Sequence, residues 1–513
     1  MGYWKSLYPF SCQFAVVVIG MNFSNCKWVV CISFLFISAS FLTGQQVKAQ
    51  SDNFVLEGEE HWDTYRVGGT CISGSHNLLV GDIDGDNKIE MVTGGSTYSL
   101  LPNGTAAPRE APLRIWSWDG QNITLENKQN WPGNINCVYA NDVEGDGKLE
   151  LLISGSIRNE TGTFSSLKVC NWDDSSLVLK ASVEGVSTTD VFVKDVDEDG
   201  VQEILTVGRF NVTGQYAGAK LYIWHLKEKG LALRDSVEWC VSNVTSATSV
   251  LAEDLNSDGK VEIVTAGYAY LLKNSSGQIR VWQYDGNALT LKANEEWRLK
   301  EGVYALTIAG GVQGNTVVNN LKVGDVDGDG AVEVVTGGFA FDGENINAQL
   351  RIWNWKDEYL SLEISREWVS DYLTEIKSLS LSDVDGDSKM EIVTSGVVGA
   401  RGSFASTATT PERAQLRVWS WDGKALTLEN SKDWTIDEGA CAWNVASGDV
   451  NKDGVTEIVN VGCTYFSNLC DPDMRIWSIQ SQDSFPMVHF AVVGAVFFAV
   501  AAGVLLLVKK WRR

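Results

Sequence analysis

The chain has 513 residues, 44% of them hydrophobic, so it is long enough to bury a large core. Its formal net charge of −24 argues against nucleic acid as a partner, because a phosphate backbone would be repelled. Much of this acidity lies in short repeated loops, which indicates a supply of metal ligands rather than a charged interaction surface.

The N-terminal segment, residues 1–49, predicts a secretory signal peptide. Lys27 precedes an apolar run over residues 28–44, and small residues offer a cleavage point before Gln50. A translation start at Met21 would give a signal peptide of conventional length. An uncleaved signal anchor is the alternative interpretation.

Residues 50–484 carry one acidic pattern seven times, at intervals of 53 to 71 residues. In chain order the copies are DIDGDNKIE, DVEGDGKLE, DVDEDGVQE, DLNSDGKVE, DVDGDGAVE, DVDGDSKME and DVNKDGVTE. They occupy residues 82–90, 142–150, 195–203, 254–262, 325–333, 383–391 and 449–457, and we call them loops one to seven.

Four strands are predicted around each acidic loop. Apolar segments precede and follow the loop, and runs such as LRIWSWDG from Leu113, rich in aromatic and β-branched residues, predict a third strand. Segments such as ITLENKQNW from Ile123 predict a fourth strand. Seven units of four strands predict an all-β fold, a seven-bladed β-propeller, with the third-strand tryptophans packing one blade against the next.

The seventh unit has no fourth segment of its own. Residues 54–62, FVLEGEEHW, match that pattern at the other end of the repeats. We therefore predict that this N-terminal strand pairs with the third strand of blade seven and closes the ring, which leaves only short protected sheet edges. A leader tail that resembles a strand by chance is the alternative.

Each acidic loop offers the oxygen ligands of a calcium site, because a hard cation needs several oxygens presented by a sharply turning loop. The side chains at position one are Asp82, Asp142, Asp195, Asp254, Asp325, Asp383 and Asp449. Those at position three are Asp84, Glu144, Asp197, Asn256, Asp327, Asp385 and Asn451. Those at position five are Asp86, Asp146, Asp199, Asp258, Asp329, Asp387 and Asp453. Position seven, which would contribute its carbonyl, is Lys88, Lys148, Val201, Lys260, Ala331, Lys389 and Val455. Position nine is Glu90, Glu150, Glu203, Glu262, Glu333, Glu391 and Glu457. We predict up to seven calcium ions.

Departures from the pattern predict a ranking of the loops. Asn87 and Ser388 replace the glycine that suits a left-handed turn at position six, and Asn256 and Asn451 replace a carboxylate at position three. We expect loop five to bind calcium most tightly and loops four, six and seven most weakly. For a single copy, a solvated Asp-Gly turn would be the alternative.

The loops resemble the calcium-binding repeats of FG-GAP and VCBS repeat proteins and of the N-terminal β-propeller of integrin α-subunits. The resemblance covers roughly residues 53–480. It implies the propeller fold and calcium binding, and it does not imply an integrin's ligand or partner subunit.

The C-terminal segment predicts a membrane anchor. Residues 485–508 contain an apolar run long enough to form one transmembrane helix, and residues 509–513 form a short basic tail that should stay cytoplasmic. We expect a single-pass type I cell-membrane protein with an extracytoplasmic propeller. Acceptor sequons at Asn103, Asn122, Asn159, Asn211, Asn243 and Asn274 are compatible with a glycoprotein.

Recognition is predicted on the connections between second and third strands, opposite the acidic loops. These are residues 94–112, 154–166, 208–219, 267–278, 337–349, 395–415 and 462–473, joined on the same side by an insertion at 298–320. Their aromatic residues are Tyr98, Phe164, Tyr216, Tyr268, Tyr270, Phe341, Phe404, Tyr465 and Phe466. These aromatics would contact a ligand, or alternatively pack locally.

These features favour a non-catalytic module for adhesion or for recognition of an unknown extracellular glycan or protein. A structural cell-envelope protein is one alternative. A polysaccharide-degrading enzyme is another, although the repeats carry few histidines and no nucleophile motif. We expect no catalytic residues.

Overall fold

A computed structural model describes residues 53–62, 70–71, 77–97, 110–159, 162–172, 176–212, 216–228, 230–271, 274–299, 307–308, 311–312, 316–356, 358–399, 411–436, 439–466 and 469–480. These residues form an all-β structure of strands and turns without a helix. The segments assigned to the signal peptide and the membrane anchor lie outside the described residues. Within the described part, no helix has the length and apolarity needed to cross a membrane.

The strands follow the repeats in chain order. The described chain starts with β1 (Phe54–His61) and β2 (Thr70–Cys71). Unit one has β3 (Leu78–Gly81), β4 (Glu90–Gly94), β5 (Ser96–Thr97), β6 (Glu110–Trp118) and the first part of β7 (Ile123–Asn141). Unit two has the rest of β7, β8 (Glu150–Asn159), β9 (Gly162–Trp172) and β10 (Leu177–Glu184). Unit three has β11 (Asp190–Lys194), β12 (Glu203–Val212), β13 (Tyr216–Lys227) and β14 (Gly230–Trp239). Unit four has β15 (Val244–Glu253), β16 (Glu262–Leu271), β17 (Asn274–Tyr284) and β18 (Leu289–Trp297).

The second part of the chain continues the same order. After the short strands β19 (Thr307–Ile308) and β20 (Gly311–Val312), unit five has β21 (Thr316–Gly324), β22 (Glu333–Phe341), β23 (Ile346–Lys356) and β24 (Tyr359–Trp368). Unit six has β25 (Leu373–Ser382), β26 (Glu391–Gly399), β27 (Arg413–Trp421) and β28 (Leu426–Trp434). Unit seven has β29 (Gly439–Gly448), β30 (Glu457–Phe466) and β31 (Leu469–Ile479).

Neighbouring strands within each unit pair antiparallel in chain order, apart from the short strand β5, which pairs with β2. Strand β7 serves two units, because its first part pairs with β6 and its second part with β8. Single parallel bridges link units three and four at Ala217 and Val244, and units five and six at Ile346 and Leu373. The described strands form six sheets.

The fourth strand of unit seven comes from the N-terminal end of the repeats. β1 pairs antiparallel with β31, with Phe54 opposite Ile479 and Glu60 opposite Met474. The backbone N–H of Gln480 also donates to the carbonyl of Asn53 at 3.1 Å. The predicted pairing of residues 54–62 with the third strand of unit seven is therefore confirmed for Phe54–His61.

Buried apolar side chains pack every unit against its neighbours. One hydrophobic cluster joins each pair of successive units from one to seven. A further cluster joins unit seven to unit one, where Val459 and Ile476 pack with Met91 and Trp116. Since an apolar face must be covered by another layer, the units stabilise one another and form no separate cores.

Tryptophan pairs recur at these contacts. At five of them, the tryptophan that ends a fourth-strand segment lies 4.8–5.4 Å, centroid to centroid, from a third-strand tryptophan of the next unit. The pairs are Trp62–Trp116, Trp239–Trp282, Trp297–Trp353, Trp368–Trp419 and Trp434–Trp477. The predicted packing of third-strand tryptophans between units is present, and the tilted rings are a favourable aromatic geometry.

The first strands of all seven units line one cavity of about 360 Å³. Each strand contributes a residue to its wall: Leu79, Tyr139, Phe192, Leu251, Lys322, Ser380 and Ala446. The seven first strands therefore surround a common space.

Candidate metal centre

Each acidic loop joins the first strand of its unit to the second. The residue at position two is apolar and almost fully buried in all seven loops, so one side of the loop is anchored in the core. These residues are Ile83, Val143, Val196, Leu255, Val326, Val384 and Val450. The anchored loop leaves the position-one aspartate half-buried and the position-five aspartate exposed in every unit.

The carboxylates at positions one and five shape the loop backbone. In every loop, the backbone N–H of position six donates to the position-one aspartate at 2.7–3.0 Å. The N–H of position seven donates to the position-five aspartate over the same range of distances. These Asx-type bonds hold the turn, and each still leaves carboxylate lone pairs for a cation.

Two residues of each loop have left-handed backbone. Position six has φ of 69–90° in all seven loops, including Asn87 and Ser388. Position four also has left-handed backbone, with φ of 56–79° in all seven loops, and this conformation was not predicted from the sequence. Glycine at position four of loops one, two, five and six was the available signal, but Glu198, Ser257 and Lys452 occupy it in the others.

The glutamate at position nine is the buried ligand candidate. In every loop, one of its oxygens accepts the backbone N–H of position two at 2.9–3.1 Å. Burial, opposed by this bond, raises the pKa of five of these glutamates to about 7: Glu90, Glu262, Glu333, Glu391 and Glu457. Burial also raises the pKa of Glu203, whose side chain contacts the ring of His225. A metal-free loop therefore holds this carboxylate at an energetic cost that a bound cation would remove.

Four loops bring three carboxylates together closely enough to share one ion. In each, one oxygen from every carboxylate lies within 4.8 Å of the others. The groups are Asp82, Asp84 and Glu90; Asp195, Asp197 and Asp199; Asp325, Asp327 and Glu333; and Asp383, Asp385 and Glu391. Burial and the neighbouring aspartates also raise the pKa of Asp327 and of Asp385. Loop six forms its group even though Ser388 stands at position six.

Loop three shows that these ligands fit a cation. The Oδ1 atoms of Asp195 and Asp197 are buried and have no hydrogen-bond partner among the described residues. Buried carboxylate oxygens without a donor are costly, and a cation would satisfy both at once. All side-chain ligands here are oxygens, the donor type that hard divalent ions such as calcium prefer.

The remaining three loops are arranged differently. In loops four and seven, the position-three asparagines Asn256 and Asn451 donate to the position-five aspartates at 3.2 and 3.0 Å. In loop two, Lys180 contacts both Glu144 and Glu150. Lys180 and His225 were not predicted to contact the loops, because neither lies within the acidic pattern.

Position-seven residues take part through their backbone. Their N–H groups make the Asx-type bonds described above, and their side chains are exposed except for the half-exposed Ala331. The ammonium of Lys88 also bonds Oδ2 of Asp86 at 2.5 Å. The structure is compatible with their predicted carbonyl role, which stays a prediction.

The predicted recognition aromatics are only partly within the described residues. Phe341 is 5% exposed and packs in a cluster with Phe339, Ile346 and Tyr268. Phe341 therefore packs locally, which is the alternative interpretation given for these aromatics. Tyr98 and Phe404 lie outside the described residues, and so do the side chains of Tyr216, Tyr465 and Phe466. Phe164 and Tyr270 are half-buried.

Comparisons with known proteins give one partial relative. No protein-family model matches the chain. Over 333 residues the chain is 23% identical to the rhamnogalacturonan endolyase YesW of Bacillus subtilis (strain 168), a match that covers 58% of this chain. The matched part is 45% of that protein, so the chain spans less than half of its relative's length.

Proposed function

We propose that the chain is a calcium-stabilised, seven-bladed β-propeller of the FG-GAP/VCBS type that recognises an extracellular glycan or protein without catalysis. The observation that carries the proposal is the sevenfold loop, in which the same three backbone hydrogen bonds position carboxylates at fixed offsets. A solvated Asp-Gly turn without a metal ion would be enough to explain a single acidic loop. Seven copies, four of which gather three carboxylates, favour a common ligand.

Ring closure is supported by the packing of unit seven on unit one and by the cavity that all seven first strands line. In this arrangement β1 completes the seventh blade, and closure removes the exposed edge of β31. Deletion of residues 53–62 should abolish cooperative unfolding in a thermal melt. A variant with an unchanged melting curve would rule out a structural role for closure.

Calcium is the ion whose ligand preference fits the donor set best. When bound, it would neutralise the clustered carboxylates of positions one, three, five and nine. The chain's own residues orient these oxygens through the backbone bonds of the loop and shield Glu333 and its equivalents from water. Isothermal titration of the chelator-treated chain with calcium, with magnesium as the control, tests the assignment. Absence of binding, or a preference for magnesium, would contradict it.

Recognition is proposed for the side opposite the loops, where the connections between second and third strands vary in length. Phe164 and Tyr270, both half-buried, remain candidates for ligand contact. We further propose that the propeller is extracytoplasmic and membrane-anchored, as the terminal segments of the sequence predict. A binding screen of the full chain in detergent against glycans and cell-surface proteins tests recognition. Binding that persists unchanged when Phe164 and Tyr270 are both replaced by alanine would place the contact elsewhere.

A polysaccharide-degrading enzyme is the second candidate, and the similarity to a rhamnogalacturonan endolyase favours it. An elimination reaction leaves a new carbon–carbon double bond in the product, which is detected by its ultraviolet absorbance. Incubation of the calcium-loaded chain with rhamnogalacturonan separates the two candidates. Binding without product supports recognition, and product formation supports the enzyme.

A further inference from the structure

The fourth strand of every unit carries a bulged residue near the acidic loop. Pairing with the third strand skips one residue of the fourth strand at the same point in all seven units. The skipped residues are Glu57, Glu126, Lys180, Arg234, Lys292, Glu363 and Glu429. Because a β-bulge redirects a side chain, this position can present a charge to the loop of its own unit.

The sign of that charge divides the units into two groups. Units one, five, six and seven have glutamate at the bulge, whereas units two, three and four have Lys180, Arg234 and Lys292. Three of the glutamates lie close enough to interact electrostatically with carboxylates of their own loops, Glu126 with Glu90, Glu429 with Asp385 and Glu57 with Glu457. The bulge residue is thus electrostatically coupled to the predicted ligands.

Among the three basic bulge residues, Lys180 is bonded to its own loop. Its ammonium contacts Glu144 and lies 3.1 Å from Oε1 of Glu150, the residues at positions three and nine of loop two. Lys292 instead bonds Glu358 of the next unit at 3.2 Å, and Arg234 bonds Tyr284. Loop two alone therefore has a side-chain ammonium bonded to two of its predicted ligands among the described residues.

Both carboxylate oxygens of Glu150, the position-nine glutamate of loop two, accept hydrogen bonds from other residues of the chain. Oε2 of Glu150 accepts the N–H of Val143 at 3.0 Å, and Oε1 accepts from both Lys180 and Asn171. Loop three differs, since the Oδ1 atoms of Asp195 and Asp197 are buried and no donor among the described residues reaches them.

We propose that the Lys180 ammonium takes the place of the metal ion in loop two, so that this loop is built and stabilised without calcium while other loops bind it. The inference rests on the proposed calcium binding. A divalent ion entering loop two would have to displace Lys180 or lie beside a like charge, and either arrangement weakens binding. The chain would then hold at most about six calcium ions, fewer than the number of acidic loops.

The test counts calcium bound per chain by equilibrium dialysis and metal analysis of the full chain in detergent. Lys180→Gln and Lys180→Glu should each bind about one ion more than the unsubstituted chain, because they free Glu144 and Glu150. Lys180→Glu places at the bulge of unit two the glutamate that units one, five, six and seven have there. Lys292→Gln is the matched control and should leave the count unchanged, since Lys292 does not bond its loop.

A second pair of variants keeps the test valid if the lysine substitutions prevent folding. Glu144→Gln should leave the calcium count unchanged, whereas Glu333→Gln, the same substitution at position nine of loop five, should lower it by about one. Loss of an ion from Glu144→Gln, or no gain from the Lys180 variants, would overturn the inference while leaving calcium binding intact. An unsubstituted chain that binds no calcium would overturn the proposed function and this inference together.

Discussion

Loops two and five have the same backbone and different charge balance. In both, the N–H of position six bonds the position-one aspartate and the N–H of position two bonds the position-nine glutamate. Loop five gathers Asp325, Asp327 and Glu333, and no basic side chain of the described part of the chain bonds them, whereas Lys180 bonds Glu144 and Glu150 in loop two. The shared hydrogen bonds thus give both loops the same turn, and the two loops differ in the basic residue of a neighbouring strand that bonds loop two.

Removal of calcium should give the largest effect. We expect a chelator to lower the melting temperature by at least about 5 °C, because ions that bind only the folded state stabilise it by mass action. Hydrogen exchange should separate the two loops, with protection lost at Gly330 and retained at Gly147. Equal loss of protection in both loops would contradict the proposal that loop five depends on calcium and loop two does not.

A pH dependence should follow in the metal-free chain. Glu333 and four equivalent glutamates have a pKa raised to about 7 by burial, whereas an unfolded glutamate ionises near 4.5. The folded state thus binds more protons over this interval, so stability should fall as pH rises from about 4.5 to 7. Urea midpoints in chelator should be higher at pH 5 than at pH 8. Saturating calcium should stabilise the chain more at pH 8 than at pH 5, because at pH 8 protons no longer compete with calcium for the glutamate carboxylates.

Two matched glutamate substitutions should differ in how their effect on the free energy of unfolding depends on calcium. Glu333→Gln should cost about 1–3 kcal/mol with calcium, whereas in chelator at pH 8 it should stabilise the chain, since it removes a buried charge that only the ion requires. Glu150→Gln should cost a similar amount in both conditions, because its partner is Lys180. Denaturant unfolding of both variants, with and without calcium, measures the difference. A calcium-dependent cost for Glu150→Gln would contradict the role of Lys180.

The smallest effects concern the left-handed residue at position six. Gly330→Ala should cost about 1 kcal/mol through backbone strain alone, because an added Cβ would meet no atom within 4 Å. Ser388→Gly should stabilise loop six by up to about 1 kcal/mol, since Ser388 has φ of 69°. Urea midpoints in saturating calcium would show both changes, and a destabilised Ser388→Gly would indicate that the serine hydroxyl has another role.

Features set by local sequence were predictable. The spacing of Asp325, Asp327 and Glu333 predicted a loop that gathers these carboxylates, and alternating strands predicted four-stranded units. The match of residues 54–62 to a missing segment predicted a pairing across the whole repeat region, and β1 pairs with β31 as expected. The strand periodicity and the turn residues repeat in every unit, so an ambiguous assignment in one unit can be resolved by comparison with the other six.

Features set by tertiary contacts were not predictable in the same way. Lys180 lies outside the acidic pattern, at the bulge of its strand, and its side chain bonds Glu144 and Glu150. Phe341 lies in a connection that suggested exposure, yet it packs against Phe339 and Ile346. Both outcomes depend on where a side chain points after folding, which pattern spacing does not specify.

The pairing of β1 with β31 has a consequence for the order of folding during synthesis. Glu57 and Ser478, whose side chains bond at 2.6 Å, are 421 residues apart in the chain. During translation, residues 54–61 therefore emerge long before their partner strand exists. Contacts of such separation form slowly, and an unpaired strand is prone to associate with other chains. We expect the nascent chain to be most vulnerable to aggregation in the interval before β31 leaves the ribosome.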